Sequence, residues 1–400
     1  MTLPIITDFP IDRNILDPQD WTFPVPIIYG PGRLAEVGQR CLEMGVRLPL
    51  IVTDSGSKSL PFVARLQSFL TDAGCGSDVF AGISPNPRED EIASGRSVFS
   101  AGGHDAIIAI GGGSAMDGGK LICLTARNDN DIWDFEYSLP APIIEPNQKF
   151  PKLITIPTTA GTGAETESTA MVTDVQKGMK FCVWHPDLKP ALAVLDPELT
   201  IGLPKNLTAW TGADALTHAI EAYLVPDFNP LCDGLALEGL ALVARWLPIA
   251  VREPENMQAR GGMLVGSCLA GIAFLKGLGL VHSISHMIGA EYDTQHGLTN
   301  AIVLPVVLRF NLPGQSAKVL RMAQAMGLQT LSEKALIGHV EHILDEIKIP
   351  RALSEIGVPF ECAQRIAEKA IQDSATETNP RRANVLEIRQ LTEAAITHAR

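Results

Sequence analysis

AIIAIGGGSAMDGGK, residues 106–120, runs from a β-branched apolar stretch into three glycines, then Ser114, then a segment with helical character starting near Ala115. Glycines let backbone N–H groups approach an anion closely, and a helix N-terminus adds favourable partial charge. That combination suits a pyrophosphate, although a strand-to-helix turn of this kind can also be purely structural. Two standard fingerprints fail. GxGxxG needs a small residue at 116, which is Met, and the P-loop needs Gly at 114 and Ser or Thr at 121, which are Ser and Leu.

Outward from this loop the chain alternates. LPLIVTD (48–54), SDVFAGI (77–83), HDAIIAIGGG (104–113) and KLITIPTTAG (152–161) have strand character, with helical stretches at 60–73 and 89–103 between them. Such alternation predicts a mostly parallel sheet covered by helices, an α/β domain over roughly 1–200. Beyond about Leu199 strand signals fade. Segments 208–225, 233–250, 257–275, 280–291, 316–347 and 360–396 carry apolar residues at helical spacing, which predicts an all-α domain over 201–400. A second polar loop, PTTAGTGAETE (157–167), follows a strand, and open α/β sheets bind ligands at that carboxyl edge. Asp54 ends another strand, where an acid can accept from a ribose 2′-OH and repel a 2′-phosphate; capping a helix is its ordinary alternative. The Pro-rich stretch 134–152 between the loops has the look of surface decoration.

The composition narrows the function classes. Four hundred residues, 46% hydrophobic and 19% charged, allow two large cores and argue against disorder. A net charge of -13 disfavours nucleic acid and anionic membrane as partners. Seven cysteines lie scattered without a CxxC pair, so neither a disulfide framework nor a zinc ribbon is expected, and a reducing compartment is. The start, MTLPIITDFPIDRN, has no signal-peptide pattern, and Gly261–Leu275 is too short and Gly-rich for a membrane span. The expectation is a cytoplasmic, globular protein with a buried core helix at that position.

Histidine usage is uneven. GADALTHAIEAYL puts Asp214 and His218 at i and i+4, GLGLVHSISHMIGAEY puts His282 and His286 at the same spacing, and His296 follows in DTQHGLTNA. Imidazole and carboxylate together suit zinc or ferrous iron. A lone histidine on an apolar helix is usually a hydrogen-bonded core residue, but five ligand-type groups on Gly- and Ala-rich helices favour a metal. Spacing alone leaves open which four ligate. His339 and His342 fall on a charged helix face, and His104, His185 and His398 are given no role.

Together GGGSAMDGGK, PTTAGTGAE, GADALTHAIEAY and the His282–His286–His296 segment resemble the iron-containing (group III) alcohol dehydrogenase family, from GPGRL at 30–34 to NPR at 379–381. The resemblance implies a dehydroquinate synthase-like fold with the active site between the two domains. It implies Asp214, His218, His282 and His296 as metal ligands and His286 as a neighbouring proton-transfer residue. It implies cofactor contacts from Gly112, Gly113, Ser114 and Asp117, from Thr158, Thr159, Thr162 and Lys180, and from Asn86 near the nicotinamide. Asp54 matches a position that favours NAD over NADP. The implied reaction is reversible hydride transfer between NAD and a primary alcohol or aldehyde, with Fe2+ or Zn2+ bound, in a homodimer. Gln295 replaces a frequent Pro and Ala164 a frequent Ser. A metal-free reductase of the maleylacetate reductase type and a dehydroquinate synthase-like lyase are the alternatives, both disfavoured by the complete ligand set.

Overall fold

The computed structural model describes residues 19–21, 24–398 and 400; the N-terminal expectation for residues 1–14 lies outside them. In the first half the elements are β1 (Gln19–Trp21), β2 (Ile27–Tyr29), α1 (Val37–Glu43), β3 (Pro49–Asp54), α2 (Pro61–Asp72), β4 (Asp78–Ile83), α3 (Glu89–Gly102), β5 (Ala106–Gly111), α4 (Gly113–Thr125), β6 (Lys152–Pro157), β7 (Thr169–Asp174), β8 (Met179–Trp184) and β9 (Leu192–Leu195). Seven strands form one sheet in the order β1-β2-β9-β6-β5-β3-β4. All its pairings are parallel except that of the edge strand β1 with β2. The continuous apolar run at 106–110 follows from burial on both faces. Ile107 and Ala109 join Leu50, Met116 and Ile122 on one side, while Ile108 and Ile110 join Ile51, Leu66 and Leu70 on the other.

The hairpin β7–β8 was not expected from the sequence. Its strands pair antiparallel from Thr169↔Trp184 to Asp174↔Met179. Asp174 Oδ1 accepts from the backbone N–H groups of Gln176 and Lys177, and Gly178 supplies the left-handed turn residue at φ 59°. The stretch after residue 135 contains no helix or named strand up to Lys152, yet it is pinned to the domain. His185 Nε2 lies 3.0 Å from Pro142 O, and its ring meets Phe150 edge-on at 4.9 Å. His185 therefore has a structural role where none was anticipated.

The second half is helical: α5 (Lys205–Leu224), α6 (Pro230–Arg252), α7 (Met257–Ala273), α8 (Leu280–Tyr292), α9 (His296–Asn311), α10 (Ser316–Ala325), α11 (Glu333–Glu346), α12 (Ala363–Ala370), α13 (Ser374–Glu377) and α14 (Val385–Thr397). The predicted run 316–347 divides between α10 and α11, and Gly327 leaves α10 at φ 73°. By length and composition Pro230–Arg252 and Met257–Lys276 are apolar enough to cross a membrane, but both contribute to the helical core around α5. α5 is buried nearly all round, so its inward polar groups must find protein partners or a ligand.

A buried charge group joins α4 to the segment that leads into β7. Lys120 has no solvent exposure and donates to Thr169 O at 2.8 Å, while Glu165 and Glu167 are buried beside it, each with one carboxylate oxygen lacking a hydrogen-bond partner. Burial pushes the Glu167 carboxyl from 4.5 up to about 8, with Lys120 opposing. An acid raised on folding contributes stability that is present below its unfolded pKa and lost as pH rises through the folded one. Glu167→Gln should therefore leave the thermal midpoint near wild type at about pH 4, below the unfolded value, and raise it by roughly 2–4 °C at about pH 9. Equal midpoints for the two proteins at both pH values, by calorimetry, would refute this.

Candidate metal centre and cofactor cleft

α5 presents Asp214 and His218 on one face, α8 presents His282, and His296 begins α9. Ligand-type atoms of these four side chains all lie within 4.8 Å of one another. Asp214 Oδ1 is 3.7 Å from His218 Nε2, 3.9 Å from His282 Nε2 and 3.7 Å from His296 Nε2. Close helix approach makes this possible: a Cβ on Gly297 would fall 2.3 Å from Trp210 O and 2.9 Å from Asp214 Cβ, so only glycine lets α9 start against α5. Gln295, the departure from Pro, caps α9 by accepting from Leu298 N at 2.7 Å.

The imidazoles are oriented from behind. His218 Nδ1 lies 3.1 Å from Gly161 O, and His282 Nδ1 lies 2.5 Å from Glu221 Oε2. Each ring thus gives its Nδ1 proton to an oxygen and turns the Nε2 lone pair inward, the arrangement metal-ligating histidines use. Glu221 Oε1 also accepts from Val281 N at 2.8 Å, and Asn379 Oδ1 accepts from Leu280 N at 3.1 Å, which fixes the start of α8. Burial holds His282 well below its ordinary pKa, with His218 adding to the effect. Burial, with His282 and His286, does the same for His296. These rings stay neutral, as ligands must be. Burial also lifts the Glu221 carboxyl to about 7, against hydrogen bonds that pull it down.

His286 stands outside the four-membered ring. It stacks on His296 at 5.4 Å, and its Nδ1 lies 2.9 Å from Asp373 Oδ2. Burial pushes the Asp373 carboxyl up, but His286, the Ala375 N–H and His282 together hold it below its ordinary value. The donor set of three inward nitrogens and one carboxylate fits zinc or ferrous iron. Glu221, Asp373 and Asn300 are supporting residues that the sequence reading missed. Glu221 stands three positions after His218 and Asn300 four after His296, a helical spacing that marks shared faces. Nothing local marks Asp373.

The cofactor-type residues gather at the carboxyl edge of β3, β5 and β6. Thr158 N donates to Gly111 O at 2.8 Å, joining the two loops. Gly111 has φ 147°, and a Cβ there would meet Ala115 Cβ at 2.7 Å and Asp54 Oδ2 at 3.1 Å. A Cβ on Gly113 would fall 2.5 Å from Thr162, and one on Gly112 3.6 Å from Thr159. Because β3 lies beside β5, Asp54 is at the glycine turn despite its distance in sequence. Ser114 follows in the first turn of α4, whose open N–H groups face this edge. Burial raises the Asp117 carboxyl to about 6, opposed by Lys120 and Lys180. Lys180, on β8, which packs against α8, is pushed down by burial and drawn back by Asp117, Asp293 and Asp214. Asn86, between β4 and α3, donates from Nδ2 to Asp293 Oδ1 at 2.6 Å, bridging to the segment that delivers His296.

Known proteins share both the sequence and this architecture. Residues 24–197 match the iron-containing alcohol dehydrogenase model, and residues 208–396 match the model of the Fe-containing alcohol dehydrogenase family, C-terminal. The NAD-dependent methanol dehydrogenase of Bacillus methanolicus is 36% identical over 383 residues, covering 93% of this chain and 98% of that protein. A crystal structure of 1,3-propanediol oxidoreductase superposes with a TM-score of 0.87 at 34% identity, covering 95% of this chain and 100% of that one. Sulfoacetaldehyde reductase from Bifidobacterium kashiwanohense, solved in complex with NAD+, gives a TM-score of 0.84 at 28% identity over 94% of this chain and 98% of that one. Two family models spanning both halves, and an Asp/His cluster able to bind metal where the helices converge, make this chain a member of the iron-containing alcohol dehydrogenase family.

Proposed function

We propose that this chain interconverts a primary alcohol and its aldehyde by NAD-linked hydride transfer, in a cleft between an α/β domain ending near residue 200 and the helical domain after it. The observation carrying the reading is the hydrogen bond from His218 to Gly161 O: a loop at the sheet edge orients a residue of the histidine ring directly. In this reading Asp214, His218, His282 and His296 hold a divalent ion, ferrous iron with zinc as the alternative. Such an ion supplies Lewis acidity toward an alcohol oxygen. Gly112, Gly113 and Ser114 receive the NAD pyrophosphate on backbone N–H groups, with Thr158, Thr159 and Thr162 flanking it. Asp54 binds the adenosine ribose, and Asn86, Asp117 and Lys180 line the path toward the nicotinamide. His286, with Nδ1 committed to Asp373, keeps Nε2 free to accept the alcohol proton and pass it outward. A cytoplasmic homodimer with a small-molecule substrate, without nucleic acid or membrane partners, completes the reading; the family resemblance supports it.

The test is NADH formation with a panel of primary alcohols, before chelation, after chelation, and after reloading with Fe2+ or Zn2+. Alcohol-dependent NADH that vanishes on chelation and returns on reloading is the expected result. Full activity in the chelated enzyme would overturn the role of the metal, and no net NADH with any alcohol would return the lyase reading.

A further inference from the structure

We infer that Asn300 is a positioning residue for the metal ligands, holding three of the four ligand atoms through one side-chain amide. The inference rests on the reading of Asp214, His218, His282 and His296 as ligands. Asn300 is fully buried on α9, one turn beyond His296. Its Nδ2 lies 2.7 Å from Asp214 Oδ1, 3.1 Å from His282 Nε2 and 3.1 Å from His296 Nε2. The amide therefore caps the face of the ligand group that these three residues share.

An amide nitrogen carries two hydrogens, so three acceptors compete for them. The acceptors differ in what they can do once an ion is held. A carboxylate oxygen has more than one lone pair and can ligate while still accepting from Asn300. An imidazole Nε2 has a single lone pair and cannot do both. The Asp214 bond is thus the one compatible with a bound ion, and it is charge-assisted and short. The bonds to His282 and His296 are the ones an ion replaces. With no ion, the amide offsets the crowding of three inward acceptors. With one, it fixes the direction in which the Asp214 carboxylate points.

The other end of the side chain supports the same orientation. Asn300 Oδ1 is buried and has no hydrogen-bond partner. A buried carbonyl without a donor costs about 1–3 kcal/mol, so the fold does not keep Asn300 for that oxygen. Reversing the amide would place the oxygen among three acceptors, which is worse. The side chain is held one way round by the ligand atoms themselves, and this binds its role to the metal and not to packing alone.

Asn300→Leu keeps the volume and removes the donors; Asn300→Ala removes both. Zn2+ affinity is measured by competition with a chromophoric chelator, the Co2+-loaded forms by their visible absorption, and NAD binding by fluorescence titration. Both variants should bind Zn2+ about 10- to 100-fold more weakly than wild type. Their Co2+ bands should shift, and NAD affinity should be unchanged. Wild-type Zn2+ affinity with an unshifted Co2+ spectrum in either variant overturns the inference, and loss of NAD binding along with the metal marks a structural role and does the same. A wild-type protein that binds neither ion refutes the ligand assignment itself, a distinguishable failure.

Discussion

Asp214→Ala should lower kcat/KM for alcohol oxidation by at least about a thousandfold while leaving NAD affinity within about twofold. The size follows from what the side chain does in the cluster. Its Oδ1 is the common neighbour of the other three ligand atoms, at 3.7, 3.9 and 3.7 Å, and the carboxylate is buried. Without it three neutral imidazoles remain, and no anion offsets the charge of a divalent ion inside the helical core. A metal's Lewis acidity contributes several kcal/mol to such a reaction, and each 1.36 kcal/mol is about tenfold in rate. NAD affinity should be spared because the glycine and threonine loops are built on the sheet and do not use Asp214. Kinetics, metal analysis and an NAD titration on the same preparation separate the cases. A variant that keeps a tenth of the wild-type kcat/KM, or one that loses NAD binding, would contradict the assignment.

Most of this site was legible in the sequence because its parts follow local rules. Strand β5, the glycines and the start of α4 lie within one contiguous stretch, and the apolar run at 106–110 has the length of a strand buried on both faces. The i,i+4 pairs Asp214–His218 and His282–His286 gave helical faces without coordinates. Spacing could not exclude His286 from the ring, because that exclusion is a tertiary fact: among the described residues the grouped ligand-type atoms within 4.8 Å of one another come from Asp214, His218, His282 and His296, and His286 stacks outside them on His296. The supporting residues were illegible for the same reason. Glu221 looks like one more polar residue on α5 until α8 is laid over it. The hairpin β7–β8 was missed because its strands are half-buried and mix Thr, Met, Lys and Cys, so they lack the apolar run that marked the central strands. Asp54 shows the opposite effect: it stands 59 positions before Gly113 in sequence, and parallel pairing of β3 with β5 brings it to the glycine turn.

That placement gives the second large expectation, a change of coenzyme preference. Asp54 cannot turn away from the glycine loop, because Oδ1 accepts from Ser57 N at 2.9 Å and Oδ2 from Ser57 Oγ at 2.7 Å. A 2′-phosphate, with a charge of about -1.5 to -2, would therefore face a fixed negative charge. Two unit charges 4 Å apart interact with about 4 kcal/mol at the effective dielectric of a protein surface, and partial exposure reduces this. A preference of roughly 10- to 100-fold for NAD over NADP is what remains after that reduction. Asp54→Ser should cut the ratio of kcat/KM for NAD to that for NADP by about that factor, mainly by improving NADP. Salt gives an independent check: raising ionic strength should improve NADP use by the wild type, since screening shortens the reach of the carboxylate, and should do little for Asp54→Ser. A ratio unchanged by the substitution would place the adenosine ribose away from β3, and the loops after β5 and β6 would then have to hold the cofactor without this strand.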